Sequence, residues 1–260
     1  MTSWPTSFDD VALVDRARSP ECTARLCDAI SCVDSAADEV AVIALLRQAA
    51  AAIGGRGAFF TTVTRDDATF ASYRSLLACD PLWAIEYARN GWCANDPWLL
   101  YASRHSAPAL ASEITSSDTR QQAVVDAAVA HGFASALIVP APSSHGPSRV
   151  GMLCIGSDKP GYFENPGYRL VKPFVRSLAM ELHDWWHRWM TRELTARAHI
   201  TADDLVLLHH EANGHGSKLI ATELRTEAKT IDCRFQRLNV RLGVANRRDA
   251  VRLSRLYGLI

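Results

Sequence analysis

The sequence predicts an α+β protein of two domains: an N-terminal α/β/α sandwich on an antiparallel sheet, and a C-terminal module of four short helices. Three observations predict it. β-prone runs come in consecutive pairs with helical runs between and after them. Residues 199–260 break into four short apolar-periodic segments, each with its own start or stop signal. Basic residues gather in that module, with eight Lys/Arg against two acids in residues 229–255, although the whole chain balances at 28 against 28. A 260-residue chain with 48% hydrophobic content can bury two cores, so the expected division is 1–192, a linker at 193–198, and 199–260.

Residues 36–52 form an alanine-rich amphipathic helix that stops before Gly54-Gly55. Strand runs follow at 58–64 and 70–77, and a second pair at 136–139 and 150–155, with a helix over 117–131 between the pairs. The Pro/Ser/Gly stretch 140–147 reads as a hairpin tip. A long helix over 166–197 closes the domain.

Thr201-Ala202-Asp203-Asp204 has the spacing of a capping box, in which a hydroxyl accepts an early N–H and an acid three residues on returns the bond. Leu205, Leu208 and Ala212 then repeat at helical spacing until Asn213-Gly214 stops the helix. A second helix spans about 217–224, and the turn Arg225-Thr226-Glu227-Ala228 leads to a third. There Ile231, Phe235, Leu238 and Leu242 make one inward stripe and leave Lys229, Cys233, Gln236 and Arg237 outward. Asn246-Arg247-Arg248-Asp249 repeats the capping pattern for a last helix, which buries Ala250, Val251 and Leu253 and ends at Gly258. A basic outward face on a helix of this kind suits double-stranded DNA.

The module resembles the LuxR-type helix-turn-helix family. Ile200-Thr201, Asp204, Ala212-x-Gly214, Ile220-Ala221, Leu224, Thr230-Ile231, Arg241-Leu242-Gly243-Val244 and Arg247-x-x-Ala250-Val251 match its pattern without a gap. Asp204 stands for the usual glutamate, Gly216 for Ser/Thr, Leu219 for an acid, Arg234 for a common histidine and Glu227 for the usual hydroxyl cap. The resemblance implies a dimer on an inverted-repeat operator, one recognition helix per major groove. Lys229, Thr230, Cys233, Gln236 and Arg237 are then the candidates near base edges; Lys218, Arg234 and Arg241 are the candidates at phosphates.

In the N-terminal domain, Trp83 and Tyr87 lie four apart on a helical run, and Asp96 follows in a turn fixed by Pro97. An indole N–H, a phenol O–H and a carboxylate in an apolar setting suit a small amide-containing ligand. Read by residue type alone, Trp83 and Tyr87 serve as an aromatic packing stripe and Asp96-Pro97 as a turn or a helix cap. Their spacing resembles the autoinducer-binding domain of the LuxR-type family. That resemblance implies a small-molecule autoinducer, an N-acyl-homoserine lactone or a related signal. Trp83 would donate to the lactone carbonyl, Asp96 would accept the amide N–H, and Tyr87 would touch the acyl carbonyl. Trp98, Ala111 and Cys154 complete the candidate ligand-binding set. Ala111 replaces a pocket tryptophan of the family, Ala136 a glycine and Cys79 a tyrosine, which reshapes the cavity unless Trp92 or Trp98 fills it. A regulator with a self-filled pocket, needing no ligand, and one answering a non-lactone molecule both remain open.

Seven scattered cysteines without a Cys-x-x-Cys read as reduced thiols. No apolar run approaches 18 residues, and Met1-Thr2-Ser3-Trp4-Pro5 lacks a signal-peptide pattern, so the expected location is the cytoplasm without a membrane partner. His183 and His187, four apart among Trp185, Trp186 and Trp189, read as a packing or dimer face before a metal site. His210 and His215 are five apart, off one helical face, and do not form a metalloprotease motif. No nucleophile elbow, phosphate loop or catalytic acid pair is present, so no enzyme, cofactor or metal is expected.

Overall fold

The structure, a computed structural model, describes residues 11–65, 71–143 and 149–260. The start of the second expected strand at Phe70, residues 144–147 of the expected hairpin tip, and the opening Met1–Pro5 segment lie outside the described residues. The chain divides into two compact units, Met1–Trp185 and Trp186–Ile260. The helix α7, Tyr168–Arg197, is unbroken, so most of the stretch expected to link the domains is its last turns. Leu194 and Ala198 belong to the second unit's core, which therefore begins ahead of residue 199.

In the first unit, α1 (Leu13–Arg18), α2 (Pro20–Val33) and α3 (Glu39–Ala52) precede the sheet. Asp38 caps α3, its carboxylate accepting from the Ala41 N–H, and the helix breaks at Gly54. The five strands β1 (Gly57–Arg65), β2 (Ala71–Ala78), β3 (Ala109–Leu110), β4 (Ser135–Pro142) and β5 (Arg149–Ser157) lie in the order β2-β1-β5-β4-β3. Every pairing is antiparallel, as expected from strands met in consecutive pairs. Residues 140–142 belong to β4, where a loop was expected. Pro140 and Pro142, two apart, turn their donor-less nitrogens to one edge, which a strand can leave unpaired, and β3 pairs only with Leu137 and Ile138.

Between β2 and β3 run α4 (Pro81–Arg89) and α5 (Pro97–Arg104), each opened by an Asp-Pro pair: the acid caps and the proline sits at the first helical position. α6 (Thr119–Ala130) is capped by Asp118. One face of the sheet, together with α4, α5 and α6, encloses a core of Phe59, Val63, Trp83, Tyr87, Trp98, Val124, Phe133 and Cys154.

The second unit holds the end of α7, then α8 (Ala202–Ala212), α9 (Ser217–Glu223), α10 (Ala228–Leu242) and α11 (Arg247–Leu256), the four expected helices. The capping box is formed: Asp204 N–H donates to Thr201 Oγ1 at 3.2 Å and the Thr201 N–H to Asp204 Oδ2 at 2.9 Å. The inward stripe Ile231, Phe235, Leu238 and Leu242 is buried in one core with Leu207, Leu208 and Ile220. Gly216 and Glu227, at the starts of α9 and α10, supply no side-chain cap. No described helix is long and apolar enough to cross a membrane.

Candidate functional site

Asp96 is the centre of the first site. It is 1% exposed, and one of its oxygens caps α5, accepting from the N–H groups of Trp98 at 2.8 Å and Leu99 at 3.2 Å. The other accepts the Tyr87 phenol O–H at 2.8 Å. A carboxylate offers about four lone-pair positions, so these three bonds leave room for one more donor. No Lys, Arg or His pairs with Asp96 among the described residues. Burial therefore raises its pKa above the usual carboxylate value, while the phenol and the two N–H groups pull against that rise. Burial, then the neighbouring Asp96 charge, pushes the Tyr87 phenol well up, so it stays a donor.

Aromatic rings enclose Trp83. Phe59, Tyr87, Trp92, His131 and Phe133 stand with ring centroids 6.2, 5.4, 5.9, 5.7 and 6.1 Å from it. Phe133 fits because Gly156 lies beneath it: a Cβ at that position would overlap the Phe133 ring. Trp92 and Phe133 thus occupy space beside Trp83 in a chain whose residue 111 is alanine. A cavity of about 200 Å³ remains, lined by Phe59, Thr61, Tyr73, Ser75, Trp83 and Tyr87 among others. Its strand residues alternate: Phe59 and Thr61 on β1 face Leu77 and Ser75 across the register, and the Thr61 and Ser75 hydroxyls bond at 2.7 Å.

The expected residues therefore separate. Trp83 and Tyr87 line the cavity and Tyr87 joins it to Asp96. Trp98, Ala111 and Cys154 pack in the surrounding core and do not line the cavity. The Trp98 indole N–H is buried without a hydrogen-bond partner. Burial first, then the Asp96 charge, pushes the Cys154 thiol well up, and burial pushes Cys79 up to about 12, so neither is a thiolate at neutral pH. Sequence reasoning missed Thr61, Tyr73 and Ser75; the two-residue period of the strands was the available signal, but the face it marks depends on register.

The second candidate face lies on α10. Lys229, Thr230, Cys233, Gln236 and Arg237 are exposed, and their side chains make no bond among the described residues; Lys218 on α9 is likewise exposed. Asp232, the one acid on that helix, bonds Ser217 at 2.6 Å and is ion-paired to Arg247, whose guanidinium also lies 4.2 Å from the Phe235 ring centroid. Those two bonds, Ser217 first, hold the Asp232 carboxyl below its usual range and leave the outward face basic. Arg234 is paired with Asp203 at 3.0 Å and stays partly exposed. Arg241, expected at a phosphate, is turned inward: it reaches Asp204 at 2.7 Å and the carbonyl oxygens of Ala198 and His199.

A buried carboxylate without a cation, beside an aromatic cavity in a helix-covered antiparallel sheet, is an arrangement suited to a small ligand, in a unit followed by a helical module. The autoinducer-binding domain model matches residues 38–185, more than half the chain, and the protein belongs to that family. Among solved structures, "SdiA in complex with octanoyl-rac-glycerol" superposes with a TM-score of 0.72 at 14% identity, covering 93% of this chain and 98% of that one. Escherichia coli SdiA in the space group P6522 gives 0.67 at 15% identity, covering 92% and 98%. The N-acylhomoserine lactone dependent LuxR family transcription factor CepR2 from Burkholderia cenocepacia gives 0.55 at 16% identity, covering 64% and 95%. No curated protein matches the sequence. The family match bears out the LuxR-type resemblance read from Trp83, Tyr87, Asp96 and Pro97, and the two SdiA structures share the fold over nearly the whole chain.

Proposed function

We propose that this protein is a LuxR-type transcriptional regulator that binds a small amphiphilic signal at Asp96 and an inverted-repeat DNA operator through α10, as a cytoplasmic homodimer. The observation that carries the reading is the buried Asp96 carboxylate, which holds an acceptor position open beside Tyr87 and has no cation to neutralise it. A ligand N–H would complete its bonding, and the acyl part of the ligand would enter the aromatic cavity against Trp83 and Tyr73. N-acyl-homoserine lactones present that N–H next to an acyl chain. Octanoyl glycerol, present in the SdiA structure, offers hydroxyl donors in its place.

Support for the DNA half is electrostatic: free Lys229 and Arg237 on an exposed helical face whose only acid is neutralised. Lys229, Thr230, Cys233, Gln236 and Arg237 are proposed near base edges, and Lys218 and Arg234 at phosphates; Arg241 acts inside the module. A second reading, a ligand-independent regulator, draws on the five rings around Trp83 and on a cavity of about 200 Å³, below the roughly 300 Å³ and more usual for ligand sites.

A thermal-shift screen of the purified protein against acyl-homoserine lactones of graded chain length and monoacylglycerols separates the two. Stabilisation by one class, abolished in Asp96→Asn, is expected; a stable, DNA-binding protein that no member shifts would establish the ligand-independent reading. In a competition assay Arg237→Ala should lose about 1–3 kcal/mol of operator discrimination without loss of fold. Retained discrimination would remove Arg237 from the interface.

A further inference from the structure

In the second unit, α8 ends at Ala212 and Gly214, at φ 77°, adopts the left-handed conformation that reverses the chain. The His215 N–H then donates to the His210 carbonyl at 3.0 Å, and the two imidazoles, which a continued helix would have set on different faces, meet with Nδ1 atoms 2.9 Å apart. Glu223, the last residue of α9, brings a carboxylate oxygen to 3.3 Å from His210 Nδ1. The three ligand atoms lie within 4.8 Å of one another.

Protons serve this arrangement poorly. A proton on His210 Nδ1 must be shared between Glu223 and His215, and if His215 carries the proton, Glu223 is left facing a lone pair. A metal ion accepts all three lone pairs at once. Zinc bound to nitrogen at about 2.0–2.1 Å in a tetrahedron sets neighbouring ligand atoms about 3.3 Å apart, close to the 2.9 and 3.3 Å edges already present. Two imidazoles and one carboxylate are a donor set for zinc and its transition-metal neighbours, where magnesium and calcium take oxygen. With side-chain exposures of 16% for His210 and 45% for Glu223, an ion can enter and keep a solvent ligand.

We propose that His210, His215 and Glu223 form a three-ligand site for a divalent transition-metal ion, zinc by preference, that fastens α9 to the end of α8. The need is local: α9 has seven residues and no side-chain cap, too short to hold itself. None of the three ligands is among the residues proposed to contact DNA.

The test uses full-length protein stripped with a chelator and titrated with zinc chloride against a chromophoric competitor. One equivalent per chain is expected. Glu223→Gln and His215→Asn, both at partly exposed positions, should each weaken binding by more than the about 10–100-fold typical of losing an outer-shell partner. Cobalt(II) in the unmodified protein should show the visible bands of a four-coordinate nitrogen and oxygen site with no thiolate charge-transfer band, which separates it from chance binding at the seven cysteines. Absence of one-equivalent binding, unchanged affinity in both variants, or a thiolate band would each overturn the proposal.

Discussion

Two buried carboxylates, one in each unit, both sit at helix starts, and they differ in what faces them. Asp204 in α8 meets the Arg241 guanidinium at 2.7 Å and the Thr201 hydroxyl at 2.8 Å. Burial alone would raise its pKa, but the Arg241 and Thr201 bonds win and hold it below the usual value. Asp96 in the first unit receives only neutral donors, and burial wins. A carboxylate answered by a cation is a fastening, and one answered only by N–H and O–H groups retains a demand that a ligand can meet. Sequence treats the two alike, since each is an acid in a capping position.

The sharpest way to break the comparison is to remove the cation. Arg241→Ala should destabilise the second unit by about 2 kcal/mol, lowering its thermal midpoint by about 10 °C, because it strands Asp204 and two carbonyls. A midpoint unchanged within error would mean that Arg241 is free for DNA after all. Asp96→Asn keeps a good helix cap, and it should change the first unit's stability by less than about 1 kcal/mol while removing the ligand response. A large loss of stability would make Asp96 a fastening too.

Acid sharpens the contrast through sign. Asp204's folded-state pKa is depressed below 3.8, so its contribution is complete above that pH and is lost as pH falls through the folded value. Asp96's is raised, so its contribution is present below 3.8 and is lost as pH rises through the folded value. Amide hydrogen exchange in α5 and α8 should therefore respond oppositely: protection in α5 gains on acidification toward pH 4, and protection in α8 fails only below that. The smallest effect compares caps. Glu227→Thr should supply α10 with the cap that Thr201 gives α8 and add about 0.5–1 kcal/mol in chemical denaturation.

Helices α8 to α11 were legible because their signals are local: Thr201 with Asp204, the Gly214 stop, and the stripe from Ile231 to Leu242 all act within a turn or two. Trp83, Tyr87 and Asp96 were legible as a spacing. The Tyr87–Asp96 bond itself was not, because it needs the Gly91 turn and the short α5, whose Asp-Pro start read as a turn or a helix cap without fixing which. β3 has two residues and no periodicity to read. α1 and α2 went unread although Ser19-Pro20 marks a helix start. The separation of Trp98, Ala111 and Cys154 from the cavity depends on which strand residues face it, and register is fixed by pairing across the sheet. His210 and His215 were set aside on helical geometry, which ceases to apply at Gly214.

The ring cluster around Trp83 also makes the first unit its own spectroscopic probe. Three of the seven tryptophans, Trp83, Trp92 and Trp98, lie in or against the core that holds Asp96 and the cavity, and a polar ligand arriving there changes the field on those indoles directly. Intrinsic emission and near-ultraviolet dichroism should therefore report occupancy without a label. Trp185, Trp186 and Trp189, placed on α7, lie outside that core, so replacing them with phenylalanine should leave the ligand-dependent change in place.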